Sequence, residues 1–277
     1  MQTFQLLRAW SDYLAVSGTV SPRTARQYRR YAIAFMADVL MPLEDVTEDD
    51  VVGWLAEHCV RGPMRGQMLR ALKSYYRWAL ARGYVDRDPT ARIRIPKQRY
   101  GRAPALTEEQ LEAVFAAAEL VDPRARPTLE LMYATGARLG SIAAVMPEDV
   151  DLEQAWIDFR EAKGGQPYGL PLGPRGLAAA RRLLELRDWH PPKVGGRLPT
   201  LVGVGPARIR QWVQRAGDLA GIRVWPHLLR HSTITRLAAV GTDVRTIVEF
   251  ANWRDPSQLR RYAAPLDPNL RAAASVL

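Results

Sequence analysis

Apolar residues recur at three- and four-residue intervals through most of the first ninety positions, the spacing of one helix face. Leu7, Trp10 and Leu14 share such a face, with Thr3 as the expected cap and Gly18 as the stop. Ser21 followed by Pro22 is a cap with proline at the first helical position. It predicts a second helix with Tyr28, Ala32, Phe35 and Val39 on its apolar side and Arg23, Arg26 and Arg30 on another. Thr47 with Asp50 marks a third start, acidic residues suiting the positive end of the helix dipole. Cys59 continues the helical pattern of Val51, Trp54, Leu55 and His58 and reads as a core residue. A fourth helix carries its apolar stripe on Leu69, Leu72, Tyr76 and Leu80, and a separate stripe of Arg70, Lys73 and Arg77. Residues 3–90 therefore predict a small helical bundle with one basic side.

From Ile93 to Pro104 the periodicity stops, and this stretch reads as a linker that brings Lys97 and Arg99. Thr107 with Gln110 is a capping box that opens a second domain. A helix through Leu129–Ala134 ends at Gly136. Alternation then predicts a hairpin from Ala155–Phe159 and Tyr168–Leu172, turning around Lys163-Gly164-Gly165. Helices resume over Pro174–Arg187 and Ala207–Ala220, and around His227, Val244 and Gln258. The expected fold is mainly α: a helical bundle over 1–92, a basic linker over 93–104, and a mixed α/β domain over 105–277 with a small antiparallel sheet.

Charge sharpens this picture. The chain has 277 residues and a net charge of +10, from 39 basic and 29 acidic side chains. Residues 61–102 hold 12 of the basic ones and only Asp86 and Asp88 opposite them, which leaves 27 of each sign elsewhere. A one-sign band of this kind points to a polyanion as partner. The single cysteine excludes an intramolecular disulfide and suits a reducing compartment. No apolar run approaches a membrane span and no signal peptide opens the chain, so a cytoplasmic protein is expected. The four histidines offer no H-E-x-x-H, and no P-loop or dinucleotide glycine pattern occurs. No metal, ATP or NAD is expected.

The candidate chemistry is concentrated late in the chain. His227 and Arg230 lie three apart on one helix face, and Trp253 and Tyr262 flank Asp255-Pro256, a helix start. Upstream, Thr135-Gly136-Ala137-Arg138-Leu139 places an arginine just after a glycine that can end one helix and release the next. Two arginines, a histidine, an aromatic N–H donor and a tyrosine are what a phosphodiester needs if a tyrosine is to attack it. Arg138 and Arg230 can each hold two non-bridging oxygens, while an ordinary tyrosine is a poor nucleophile at neutral pH and needs help.

This set resembles the tyrosine recombinases, the phage-integrase family, over most of residues 105–265. Arg138 falls on the T-G-x-R arginine, Lys163 on the hairpin lysine, and His227 and Arg230 on H-x-x-R. Trp253 falls on the His-or-Trp position and Tyr262 on the nucleophile. The resemblance implies that His227 takes a proton from Tyr262, and that Lys163 protonates the leaving 5′ oxygen. Trp253 either donates to the phosphate or packs in the core, and His231 packs or supports. The bundle then corresponds to a SAM-like core-binding domain in a two-domain, Xer- or Cre-like arrangement. Arg70, Lys73, Arg77, Lys97 and Arg99 are the candidate DNA contacts.

One departure stands out. Where many members of the family carry an acid after the first arginine, this chain has Ser141, with Glu148 or Asp149 as candidate replacements. The implied activity is site-specific recombination through a 3′-phosphotyrosyl intermediate, without metal or nucleotide. Its partners would be double-stranded DNA with inverted repeats and three further copies of the chain in a tetramer on two synapsed sites, with accessory proteins allowed and no membrane. The alternatives are a relaxing enzyme of the type IB topoisomerase kind and a DNA-binding protein that has lost cleavage. At the end of the chain Asp267-Pro268 can open a short helix whose Leu270, Ala274 and Leu277 share a face. That face could dock on its own domain, fray, or insert into a neighbouring protomer.

Overall fold

The computed structural model describes residues 2–58, 62–94, 103–160, 166–189, 199–253 and 255–262, together with Ser275. Cys59, Lys97, Arg99, Lys163 and the tail helix expected after Asp267 lie outside the described residues. The chain divides into two compact units, residues 1–99 and 100–277.

The first unit holds four helices: α1 (Gln2–Val16), α2 (Pro22–Val39), α3 (Glu48–His58) and α4 (Gly62–Ala81). Helix α2 starts as its sequence dictates. The Ser21 hydroxyl accepts from the Thr24 amide at 3.2 Å, and Pro22 takes the first helical position. Helix α3 opens on a reciprocal pair, in which the Thr47 amide donates to Asp50 at 2.8 Å and the Asp50 amide to the Thr47 hydroxyl at 3.3 Å. Thr3, by contrast, lies inside α1 rather than capping it. The core gathers Trp10, Phe35, Leu69, Leu72, Tyr75 and Tyr76, so the aromatic residues of α4 pack against α1 and α2. Leu80, expected in that stripe, is 42% exposed. Trp78 and Ala79 take the buried positions at this end of α4 instead. His58 is exposed as well, held 3.2 Å from Asp38, which also accepts from Trp54 Nε1 at 2.7 Å.

The basic stripe of α4 is divided in function. Arg70 and Arg77 are exposed. Lys73 is half-buried, and its ammonium donates to the carbonyls of Thr90 at 2.5 Å and Ala91 at 3.3 Å. The turn it holds is already shaped by Asp88, which accepts from the Thr90 amide and hydroxyl.

The second unit runs α5 (Glu108–Glu119), α6 (Ala125–Thr135), α7 (Leu139–Ala144), β1 (Val150–Asp151), β2 (Trp156–Phe159), β3 (Tyr168–Pro171), α8 (Pro174–Trp189), α9 (Pro206–Leu219), α10 (Pro226–Ala239) and α11 (Val244–Phe250). A 3₁₀ turn over Pro147–Asp149 precedes β1, and a second over Pro256–Arg261 leads to Tyr262. Thr107 and Gln110 form the expected capping box on α5. The sheet is antiparallel in the order β1-β2-β3, with Ile157 opposite Leu170 and Trp156 opposite Pro171. Ile157, Phe159 and Leu170 turn inward, while Trp156 and Asp158 face out and bond to each other at 3.0 Å. Gly169 lies beneath them, and any side chain there would run into Trp156 Nε1. The two-residue β1 is too short to leave a periodic signal, so only the β2–β3 hairpin is legible in the sequence. Leu129, Leu131, Phe115, Val213 and Leu229 fill the main core.

Because Lys73 anchors a turn, Lys73→Ala should act on stability first. Removing a charge-assisted hydrogen bond at a half-exposed site should cost about 1 kcal/mol, a Tm drop of a few degrees for a domain of this size. Arg70→Ala and Arg77→Ala should leave Tm unchanged. Thermal denaturation of the three variants checks the contrast, and equal Tm values would place Lys73 with the exposed arginines.

Candidate active site

The site is built where three helix ends meet. Helix α6 stops because Gly136 adopts φ +57°, a left-handed conformation open to glycine at little cost. A Cβ there would also press on Thr233 Cγ2 at 3.2 Å, so glycine serves both the turn and the approach of α10. Thr135 secures the same turn: its hydroxyl donates to the Leu131 carbonyl at 2.7 Å and accepts from the Ala137 amide at 3.3 Å. The chain then re-enters a helix, with Arg138 at the cap of α7.

Arg230, on α10, is only 3% exposed. Its two terminal nitrogens donate to the Gly136 and Ala251 carbonyls, each at 2.5 Å. Those oxygens belong to the C-terminal ends of α6 and α11, where orphan carbonyls and the negative end of the helix dipole favour a cation. Arg138 reaches the next carbonyl, that of Asn252, through Nη2 at 3.4 Å. Its Nη1 is buried without a hydrogen-bond partner among the described residues. Two guanidiniums are thus fixed side by side by main-chain oxygens. Glu148 is exposed, and Asp149 is occupied with the Met146 amide at 2.8 Å and with Arg160, so neither replaces the family's acid against the arginines.

The electrostatics show the cost of that arrangement. Burial, and then the neighbouring Arg138 charge, lower the Arg230 pKa to about 10, opposed by Tyr168 and Tyr262. The folded state therefore holds this proton less tightly than the unfolded chain does. Below about pH 10 both states are charged and the penalty is fully present, and it is relieved only as the pH rises above that value. At neutral pH Arg230 remains a cation. Tyr168, on β3, has its phenol pushed up by burial, offset in part by the charges of Arg230 and Arg138 and by Ser141.

Tyr262 closes the site. It follows the 3₁₀ turn capped by Asp255, its amide donating to the Leu259 carbonyl at 2.8 Å. It is 5% exposed, in a cluster with Ala103, Ile234, Ile247, Ala251 and Trp253. Trp253 is packed in that cluster, its ring 5.3 Å from Tyr262 and 5.8 Å from the Arg230 guanidinium carbon. The Tyr262 hydroxyl lies 2.5 Å from His231 Nδ1. His227 is exposed at the start of α10, its ring 5.2 Å from that of His231. The structure places Arg138, Arg230, Trp253 and Tyr262 together, the set that the resemblance names. The sequence gives His231 only packing or support, although its i, i+4 spacing from His227 puts both rings on one helix face. The carbonyl anchors Gly136, Ala251 and Asn252 leave no side-chain signal to read.

Paired arginines beside a buried tyrosine define a class of phosphodiester-attacking enzymes, and the chain belongs to the phage integrase family. Residues 104–268 match the model of that family, and residues 7–83 match the N-terminal SAM-like domain of phage integrases. Tyrosine recombinase XerC of Mycobacterium tuberculosis (strain ATCC 25177 / H37Ra) is 30% identical over 288 residues, covering 96% of each chain. Among solved structures, a lambda integrase (75–356) dimer bound to a COC′ core site superposes with TM-score 0.76 at 18% identity, covering 94% of each chain. A lambda integrase tetramer bound to a Holliday junction gives 0.75 at 19%, covering 94% of this chain and 78% of that one. At such identities these likenesses show a shared fold.

An anion between the guanidiniums should relieve their mutual repulsion and satisfy Arg138 Nη1. Inorganic phosphate, titrated at constant ionic strength, should therefore raise Tm by roughly two to four degrees at about ten times its Kd. Arg138→Ala should abolish the shift. An equal shift in that variant would place the anion elsewhere.

Proposed function

We propose that this chain is a site-specific DNA recombinase that cuts and rejoins strands through a 3′-phosphotyrosyl bond at Tyr262. The observation that carries the reading is the pair Arg138 and Arg230, held by helix-end carbonyls beside Tyr262. A phosphodiester under attack gains negative charge at its non-bridging oxygens, and donors fixed in advance stabilise that charge without reorganising. Arg230 stays charged across the working pH range, so the site keeps its positive potential. Trp253 covers the tyrosine from one side. Lys163 remains the candidate donor to the 5′ oxygen.

Residues 1–92 serve as the DNA-binding unit and residues 105–277 as the catalytic unit, joined by the basic segment 93–104. Arg70 and Arg77 supply exposed phosphate contacts on α4. Lys97 and Arg99 extend the same charge along the linker, and Lys73 adds its charge while holding its turn. The working assembly is a tetramer of this chain on two inverted-repeat sites, which matches the form in which lambda integrase was solved on a Holliday junction. Among the described residues no helix is long and apolar enough to cross a membrane. We place the protein in the cytoplasm with its DNA.

Three measurements test this reading. Tyr262→Phe should bind target DNA as the wild type does and form no covalent complex on a nicked substrate, and an adduct in that variant would name another nucleophile. Strand exchange between two sites separates recombination from simple relaxation. For Arg70→Ala and Arg77→Ala, affinity should fall, and the log–log salt dependence should flatten by about 0.9 for each phosphate that is no longer neutralised. An unchanged slope would remove α4 from the DNA.

A further inference from the structure

Tyr262 rides on short elements, the seven residues of α11 and the six of the 3₁₀ turn that follows. Its apolar neighbours Ile234, Ile247, Ala251 and Trp253 form a cluster separate from the main core of the second unit. Ala251 belongs to this cluster by its side chain, while its carbonyl accepts from Arg230 at 2.5 Å. The tyrosine and the arginine clamp therefore share one junction. A further member of the cluster comes from the entry of the chain into this unit. It is Ala103, only 4% exposed.

Three residues on, the Leu106 amide donates to the Ser232 hydroxyl at 2.9 Å, and that hydroxyl donates to the Leu228 carbonyl, also at 2.9 Å. Ser232 is 3% exposed and follows His231, whose Nδ1 lies 2.5 Å from the Tyr262 hydroxyl. The Leu106 side chain packs against the main core. Residues 103–106 thus run as a strap from the main core to the tyrosine's cluster, tied to α10 where Leu106 meets Ser232. Pro104 and Ala105, between the two ends, are exposed.

We propose that this strap positions the nucleophile: Ala103 and Ser232 fix where the Tyr262 hydroxyl stands relative to Arg138 and Arg230. The assignment rests on the recombinase reading above. Neither residue needs to touch DNA to act in this way. In-line attack requires the phenolic oxygen to stand within a few tenths of an ångström of its productive place, and a displacement of about 1 Å costs on the order of 10² in rate. The arginines have their own anchors in helix-end carbonyls. Loosening the strap should move the tyrosine while the phosphate clamp stays in place.

The test compares the wild type with Ser232→Ala, which leaves the Leu106 amide without its acceptor, and Ala103→Leu, which overfills the cluster. Two truncations in the main core on α9, Ile209→Val and Val213→Ala, bracket the loss of Tm and control for general destabilisation. Single-turnover formation of the covalent adduct on a nicked substrate is measured beside DNA affinity. A 3-fluorotyrosine at position 262 reports the seat of the ring by ¹⁹F NMR. Both strap variants should bind DNA as the wild type does, form the adduct roughly 10 to 100 times more slowly, and shift or broaden the fluorine resonance. The core variants should keep the wild-type rate and resonance. An unchanged rate and resonance in the strap variants, or equal changes in the core variants, would overturn the assignment. If Ala103→Leu does not fold, Ala103→Gly, which opens space instead of filling it, takes its place. A wild-type chain that forms no adduct would sink the recombinase reading, and the fluorine resonance would then decide by itself whether the strap seats Tyr262.

Discussion

The buried guanidinium of Arg230 is the constraint on which the second unit depends. Taking a cation out of water costs several kcal/mol unless fixed acceptors replace the solvent. Here the acceptors are the carbonyls of Gly136 and Ala251. For both oxygens to face one side chain, α6 must end where it does, α10 must pass close against that end, and α11 must finish nearby. Gly136, Thr135 and Thr233 all serve this meeting, the last through its hydroxyl on the Tyr133 carbonyl at 2.6 Å. The ends of the helices, rather than their faces, make the site.

That construction answers how the chain manages with Ser141 where relatives of this type often carry an acid. A carboxylate would hold the arginines by charge but would also neutralise them. Main-chain carbonyls hold them by dipoles and leave the full positive charge for the substrate. The Arg230 pKa is lowered first by burial and then by the neighbouring Arg138 charge.

The first unit uses charge differently. Its aromatic core runs from Trp10 through Tyr76, and its described arginines remain at the surface, where Arg30 and Arg82 lie over the rings of Tyr31 and Trp78. Lys73 departs from this rule because the turn at Thr90 and Ala91 presents carbonyls within its reach. One basic stripe in the sequence therefore divides into two exposed arginines and one structural lysine.

Helix positions and most caps were legible from the chain alone, because they rest on local rules. Ser21-Pro22, Thr47 with Asp50 and Thr107 with Gln110 satisfy helix-end amides within three residues, so the chain declares them wherever they occur. The order of Arg138, Arg230, Trp253 and Tyr262 likewise carries their resemblance to a known site. The strand β1 was not legible, since two residues carry no period, and Leu80 sits at a helix end where the core no longer reaches. Tertiary structure alone decided which groups touch. It set Arg230 on Gly136 and Ala251, partners 94 and 21 residues away, and it set His231 on Tyr262 across 31. Sequence determines which side chains share a helix face. Only the packing of one helix end against another brings His231 onto Tyr262, because that contact depends on distances no local pattern encodes.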